Sequence, residues 1–135
     1  MALINWSDEY SVKINSIDQQ HSKLVELINQ LHSAMKEGKG KEAIGRIISE
    51  LISYTKVHFT HEESLMVKHS YPEYLKHKAL HDELVNQVLE IEKELKSGKT
   101  VISQDVLNFL KKWLVEHIVG TDKQYTTFMN SKGVV

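Results

Sequence analysis

Apolar residues recur every three or four positions along four long stretches of the chain, the spacing that gathers them on one face of an α-helix. In the first stretch His21, Leu24, Ile28, Leu31 and Met35 share a stripe. It opens at Ser16, where Ser16-Ile17-Asp18-Gln19 suits a capping box, and stops at Gly38-Lys39-Gly40. The second carries Ile44, Ile47, Ile48, Leu51, Tyr54, Thr55, His58, Glu62, Leu65 and Met66 up to the break at Ser70-Tyr71-Pro72. Pro72 suits the first turn of the third, which shows His77, His81, Leu84, Val88, Ile91 and Leu95 and is released at Ser97-Gly98. The fourth follows Ser103, a candidate cap, and presents Val106, Leu110, Trp113, Leu114, His117 and Ile118. These patterns predict helices at about 17–37, 41–69, 72–97 and 104–128. The connections are short, so neighbouring helices should run antiparallel. The expected fold is all-α, an up-down-up-down four-helix bundle in one domain over residues 1–135. Residues 1–15 form an N-terminal arm, expected to pack through Trp6, Tyr10, Val12 and Ile14.

Composition narrows the chemistry. With 17 basic and 18 acidic side chains among 135 residues, the chain has no long-range field that would gather nucleic acid or anionic lipid. It has no cysteine, which removes disulfides, thiolate metal sites, iron-sulfur clusters and cysteine nucleophiles together. Any metal must use nitrogen and oxygen ligands. The N-terminus has neither a basic start nor a long apolar core, and no run of about 18 apolar residues exists, so a cytoplasmic protein without membrane insertion is expected. No Ser-His-Asp grouping, phosphate loop or nucleotide fingerprint competes for attention.

Eight histidines in such an ordinary composition require a reason. His58 and Glu62 are four residues apart, as are His77 and His81, so each pair leaves one helix from the same face. Antiparallel helices of equal rise return the chain to its starting level after equal travel on either side of a turn. His21 and His58 average to 39.5, inside the Gly38-Lys39-Gly40 break; Glu62 and His77 average to 69.5, at Ser70-Tyr71-Pro72; His81 and His117 average to 99, beside Gly98. All four helices therefore bring candidate ligands to one height. Histidines satisfied separately in a core have no reason to share a level and a face. Asp122 is the irregular member, because five residues beyond His117 turn a regular helix by about 500° and leave it about 140° off that face. A widening or ending of the helix near Gly120 would swing it back.

The ordered set His21, His58-xxx-Glu62, His77-xxx-His81 and His117-xxxx-Asp122 resembles the hemerythrin family, as do the Trp6 arm and the run Ile17-Asp18-Gln19-Gln20-His21. The resemblance covers essentially the whole chain. It implies two iron ions joined by a bridging oxo or hydroxo group. His77, His81 and His117 would hold one iron, His21 and His58 the other, and Glu62 and Asp122 would bridge them. Such a ligand set leaves one coordination position open on the iron of His21 and His58, where dioxygen would bind end-on. Imidazole suits iron, although zinc, copper and nickel also bind such sites in vitro. Ferritin-like di-iron enzymes use mostly glutamates, whereas five imidazoles and two carboxylates should stabilise ferric iron less. The implied function is reversible O2 binding by an oxygen carrier rather than an enzyme, for storage or for delivery to an oxygen-consuming enzyme. The alternatives are an oxygen or redox sensor component, which would need a separate output partner beyond Val135, or a di-iron enzyme acting on O2, peroxide or nitric oxide. A monomer is expected.

Leu24, Phe59, Trp113, Leu114 and Ile118 lie within a turn of these ligands and are the expected apolar wall of an O2 pocket; plain core packing is the competing reading of each. Trp113 and Leu114 are the gate candidates. Tyr125, three residues beyond Asp122, is a candidate hydrogen-bond partner near the bridge or simply a packing residue. His32 lies about 16 Å along the axis from His21, too far to share a metal, and His61 and His69 are expected at the surface or as caps.

Overall fold

The computed structural model describes residues 4–38, 41–97, 104–118 and 125–135. A short 3-10 turn at Asp8–Tyr10 precedes four long helices: α1 (Asn15–Lys36), α2 (Lys41–Lys68), α3 (Tyr74–Lys96) and α4 (Gln104–Glu116), with a brief α5 (Thr126–Ser131) after them. Helix α1 forms because Ile17, His21, Leu24, Val25, Leu27, Ile28, Leu31 and Ala34 fall on one face and are all buried. It ends where Gly38 turns to φ +70, letting its N–H reach back to the Met35 carbonyl. Helix α2 ends the same way on a less suitable residue: Ser70 takes φ +56, and the Tyr71 N–H returns 2.9 Å to the Met66 carbonyl.

Cross-helix hydrogen bonds fix the register. Ser16 meets His61 and Gln20 meets His58, so numbers rise along α1 as they fall along α2. Ser49 meets Glu92 and Glu63 meets His81, which gives the same antiparallel sense to α2 and α3. Helix α4 packs on α1 and completes the bundle around a core that includes Leu24, Leu27, Ile28, Leu31, Ile48, Leu51, Leu107, Leu110 and Leu114. Among the described residues no helix is long and apolar enough to cross a membrane.

Several local expectations are corrected. Ser16 does not cap α1: Ile14 occupies the cap position without a side-chain bond, and the Ser16 hydroxyl meets His61 instead. Asp18 serves the arm, accepting from the Val12 N–H at 2.8 Å and the Ser11 hydroxyl at 2.6 Å. Val12 and Ile14 are buried as expected, but Trp6 is 36% exposed and rests on Tyr10. The deep anchor is Ile4, buried and held by both its N–H and its carbonyl to the side-chain amide of Asn29. Pro72 lies ahead of α3 rather than in its first turn, since α3 begins at Tyr74. In the fourth segment the regular α-helix α4 ends at Glu116 and His117–Ile118 form a wider helical turn. Ser103, Gly98 and Gly40, named above as cap and breakers, lie outside the described residues.

Candidate metal centre

Six of the expected ligands come together. Helix α1 contributes His21, α2 His58 and Glu62, α3 His77 and His81, and the wide turn after α4 contributes His117; none is more than 3% exposed. Their ligand atoms form two groups, each within 4.8 Å: His21, His58, Glu62 and His117, and Glu62, His77 and His81. Glu62 is common to both. Its Oε1 lies 2.6 Å from His58 Nε2, 3.4 Å from His117 Nε2 and 3.7 Å from His81 Nε2, while its Oε2 lies 3.7 Å from His77 Nε2. His117 stands between the groups. Its ligand atom falls with His21 and His58, yet its ring is nearer to His81, at 5.2 Å, than to His58, at 5.8 Å. Asp122 and Gly120 lie outside the described residues.

The surroundings orient these side chains. Tyr125, fully buried, donates its hydroxyl to Glu62 Oε2 and sets its ring edge-on to His77. His58 Nδ1 donates to Gln20 Oε1 at 2.8 Å, and His81 Nδ1 donates to Glu63 Oε2 at 3.0 Å. Because both acceptors require the proton on Nδ1, both rings turn an Nε2 lone pair toward the centre. Phe59 stacks flat on His81, with centroids 3.9 Å apart and planes 2° from parallel. Partial burial pushes the Glu63 carboxyl above the usual carboxylate range, against the pull of Lys78. Burial also pushes His61 below the usual imidazole range.

Leu24, Phe59, Trp113, Leu114 and Ile118 are all buried. Phe59 covers His81 as well as flanking His58, and Trp113 lines a cavity of about 380 Å³ between α3 and α4 that reaches His117. His32, His61 and His69 stay outside the cluster. Gln20 and Glu63 were not singled out from the sequence. The signal was there: Gln20 and His58 average to 39, and Glu63 and His81 to 72, beside the same two turns that register the ligands.

The donor set fits a metal pair. Five imidazoles around one carboxylate make a poor core, since each carries polar atoms whose burial costs energy unless they are matched. Nitrogen lone pairs and a carboxylate converging on one space are what a borderline cation such as ferrous iron binds.

Comparisons with known proteins point to one family. The family model described as hemerythrin HHE cation binding domain matches residues 12–128. A bacteriohemerythrin of Stenotrophomonas maltophilia (strain R551-3) is 37% identical over 125 residues, covering 93% of this chain and 80% of its own. One of Methylococcus capsulatus (strain Bath) is 36% identical over 126 residues, covering 93% and 95%. The crystal structure of a wild-type hemerythrin superposes with a TM-score of 0.89 at 33% identity, over 95% of this chain and 98% of that one.

Proposed function

The chain belongs to the hemerythrin family, and on that premise we propose that it binds dioxygen reversibly at two iron ions. His21 and His58 would hold one ion and His77, His81 and His117 the other, with Glu62 and, by the family resemblance, Asp122 as the carboxylates shared between them. The observation that carries this reading is the membership of Glu62 in both ligand groups, since a carboxylate facing two sets of imidazoles is placed to bridge. Iron bound there would supply the electrons that dioxygen takes up on binding and gives back on release. The protein's own residues do the rest. Tyr125 holds Glu62 Oε2, Gln20 and Glu63 hold two of the rings, and the buried side chains of Leu24, Trp113, Leu114 and Ile118 exclude the water that would carry protons to a reduced ligand. The reading includes a monomeric, cytoplasmic protein that stores dioxygen or passes it to an oxygen-consuming enzyme.

A second reading draws on the cavity between α3 and α4. Its lining includes Glu83, Gln87, Lys112 and Glu116 as well as Trp113 and His117, so polar groups lead toward one ligand. That access would suit a di-iron enzyme consuming O2, peroxide or nitric oxide. Anaerobic reconstitution with ferrous iron, metal counting and repeated cycles of air and argon separate the two. The carrier regenerates its visible spectrum at every cycle, whereas irreversible oxidation on first contact with air overturns it.

A further inference from the structure

Two of the ring nitrogens that face away from the centre meet acceptors of different charge. His58 on α2 is held by Gln20, a neutral amide reaching across from α1, and His81 on α3 by Glu63, a carboxylate reaching across from α2. Each acceptor sits beside a ligand in sequence, Gln20 before His21 and Glu63 after Glu62, yet belongs to neither ligand group. The two contacts are similar in length, at 2.8 and 3.0 Å, so the difference between them is chemical rather than geometric.

That difference has a direction. A carboxylate accepting from Nδ1–H draws the proton outward and returns electron density to the ring, which makes Nε2 the stronger donor to a metal. A neutral amide does this less. Phe59, flat against His81, limits rotation of that ring away from Glu63. On His58 the Nδ1 proton meets the neutral Gln20 amide.

We propose that Gln20 and Glu63 are positioning residues that make the two metal positions electronically unequal: the ion held through His81 is the more electron-rich and gives up its electron first, while the ion held through His58 stays ferrous more readily. The inference rests on the di-iron reading above and deepens it. It gives the position assigned to dioxygen the weaker donor set.

The test exchanges charge while keeping the hydrogen bond. The iron-loaded chain is titrated by spectroelectrochemistry to resolve its two one-electron steps, and zinc affinity of the metal-free chain is measured by chelator competition as a redox-silent readout. Glu63→Gln is expected to shift the first oxidation about tenfold toward the ferrous form, about 59 mV for a one-electron step. Gln20→Glu is expected to shift the second oxidation by a similar factor toward the ferric form. Both variants should keep zinc affinity within about tenfold, whereas Glu63→Ala, which removes the acceptor, should cost about 10–100-fold. Potentials unmoved by either exchange, or moved in the same direction by both, overturn the proposal. Should Glu63→Gln fail to fold, the sign of the Gln20→Glu shift decides alone. Potentials that move as expected in a protein whose spectrum does not survive air and argon cycling would sink the dioxygen reading and leave the inequality standing.

Discussion

Tyr125 donates its hydroxyl hydrogen to Oε2 of Glu62, a residue 63 positions earlier in the chain, and both side chains are fully buried. Removing that donor leaves a carboxylate oxygen in the core with one hydrogen bond fewer and no bulk water to replace it. Tyr125→Phe is therefore expected to lower the stability of the metal-free chain by about 1–3 kcal/mol in urea unfolding. The ring contact with His77, at 5.2 Å, survives the change, so the loss belongs to the hydroxyl. An unchanged unfolding midpoint would mean that the bond contributes nothing net.

Glu62 and His21 should differ in what their loss does to metal content. Glu62 belongs to both ligand groups and His21 to one. Glu62→Ala is expected to empty both positions, and His21→Ala to cost about one ion per chain, by metal counting after desalting under argon. Acidification should release metal from the unaltered chain as well, because imidazole binds a cation only after losing its proton. Equal losses from the two substitutions would contradict the shared role of Glu62.

The bundle and most of the centre were legible because they depend on periodicity and on travel between turns, two quantities that a sequence states directly. The ligands of α1, α2 and α3 fall where equal travel from the Gly38 and Ser70 turns puts them. Hydrogen-bond partners were less legible, because a polar side chain near a helix start has several backbone and side-chain options of similar energy. Asp18 suited a capping box and instead ties down the arm through Ser11 and Val12. Of the four expected anchors of the arm, Val12 and Ile14 are buried and Trp6 is 36% exposed, while Ile4, which was not among them, is buried with its backbone N–H and carbonyl both held by the Asn29 amide. The end of α4 needed more than periodicity: the five-residue step from His117 to Asp122 asks for a widening or ending of the helix near Gly120, and the described residues show a wide turn at His117 and Ile118.

The two turns that set the register carry a contrast testable by stability alone. Gly38 and Ser70 both adopt left-handed backbone, at φ +70 and +56, and a Cβ at position 38 would meet nothing within 4 Å. The cost of Gly38→Ala is thus confined to the backbone, and about 1 kcal/mol of destabilisation is expected. Ser70→Gly should relieve the matching strain and raise stability by a few tenths to about 1 kcal/mol. Thermal or urea unfolding of the metal-free variants checks both signs. Loss of stability in both would show that the Ser70 side chain contributes more than its backbone strain costs.

Leu114 offers the sharpest separation of packing from function. It is fully buried on α4, three residues before His117, and Leu110 is equally buried one turn further from the ligand. Truncation to alanine at either position opens a core cavity and should cost about 2–5 kcal/mol. Only the cavity at position 114 adjoins the ligand's turn. Leu114→Ala is accordingly expected to speed dioxygen release and autoxidation of the iron-loaded protein several-fold, while Leu110→Ala lowers stability and leaves both rates near the parent's. Stopped-flow release into dithionite and the slow loss of the oxygenated spectrum measure the two rates. Similar kinetic changes in both variants would trace the effect to general loosening of the bundle, and no change at position 114 would remove that side chain from the gate.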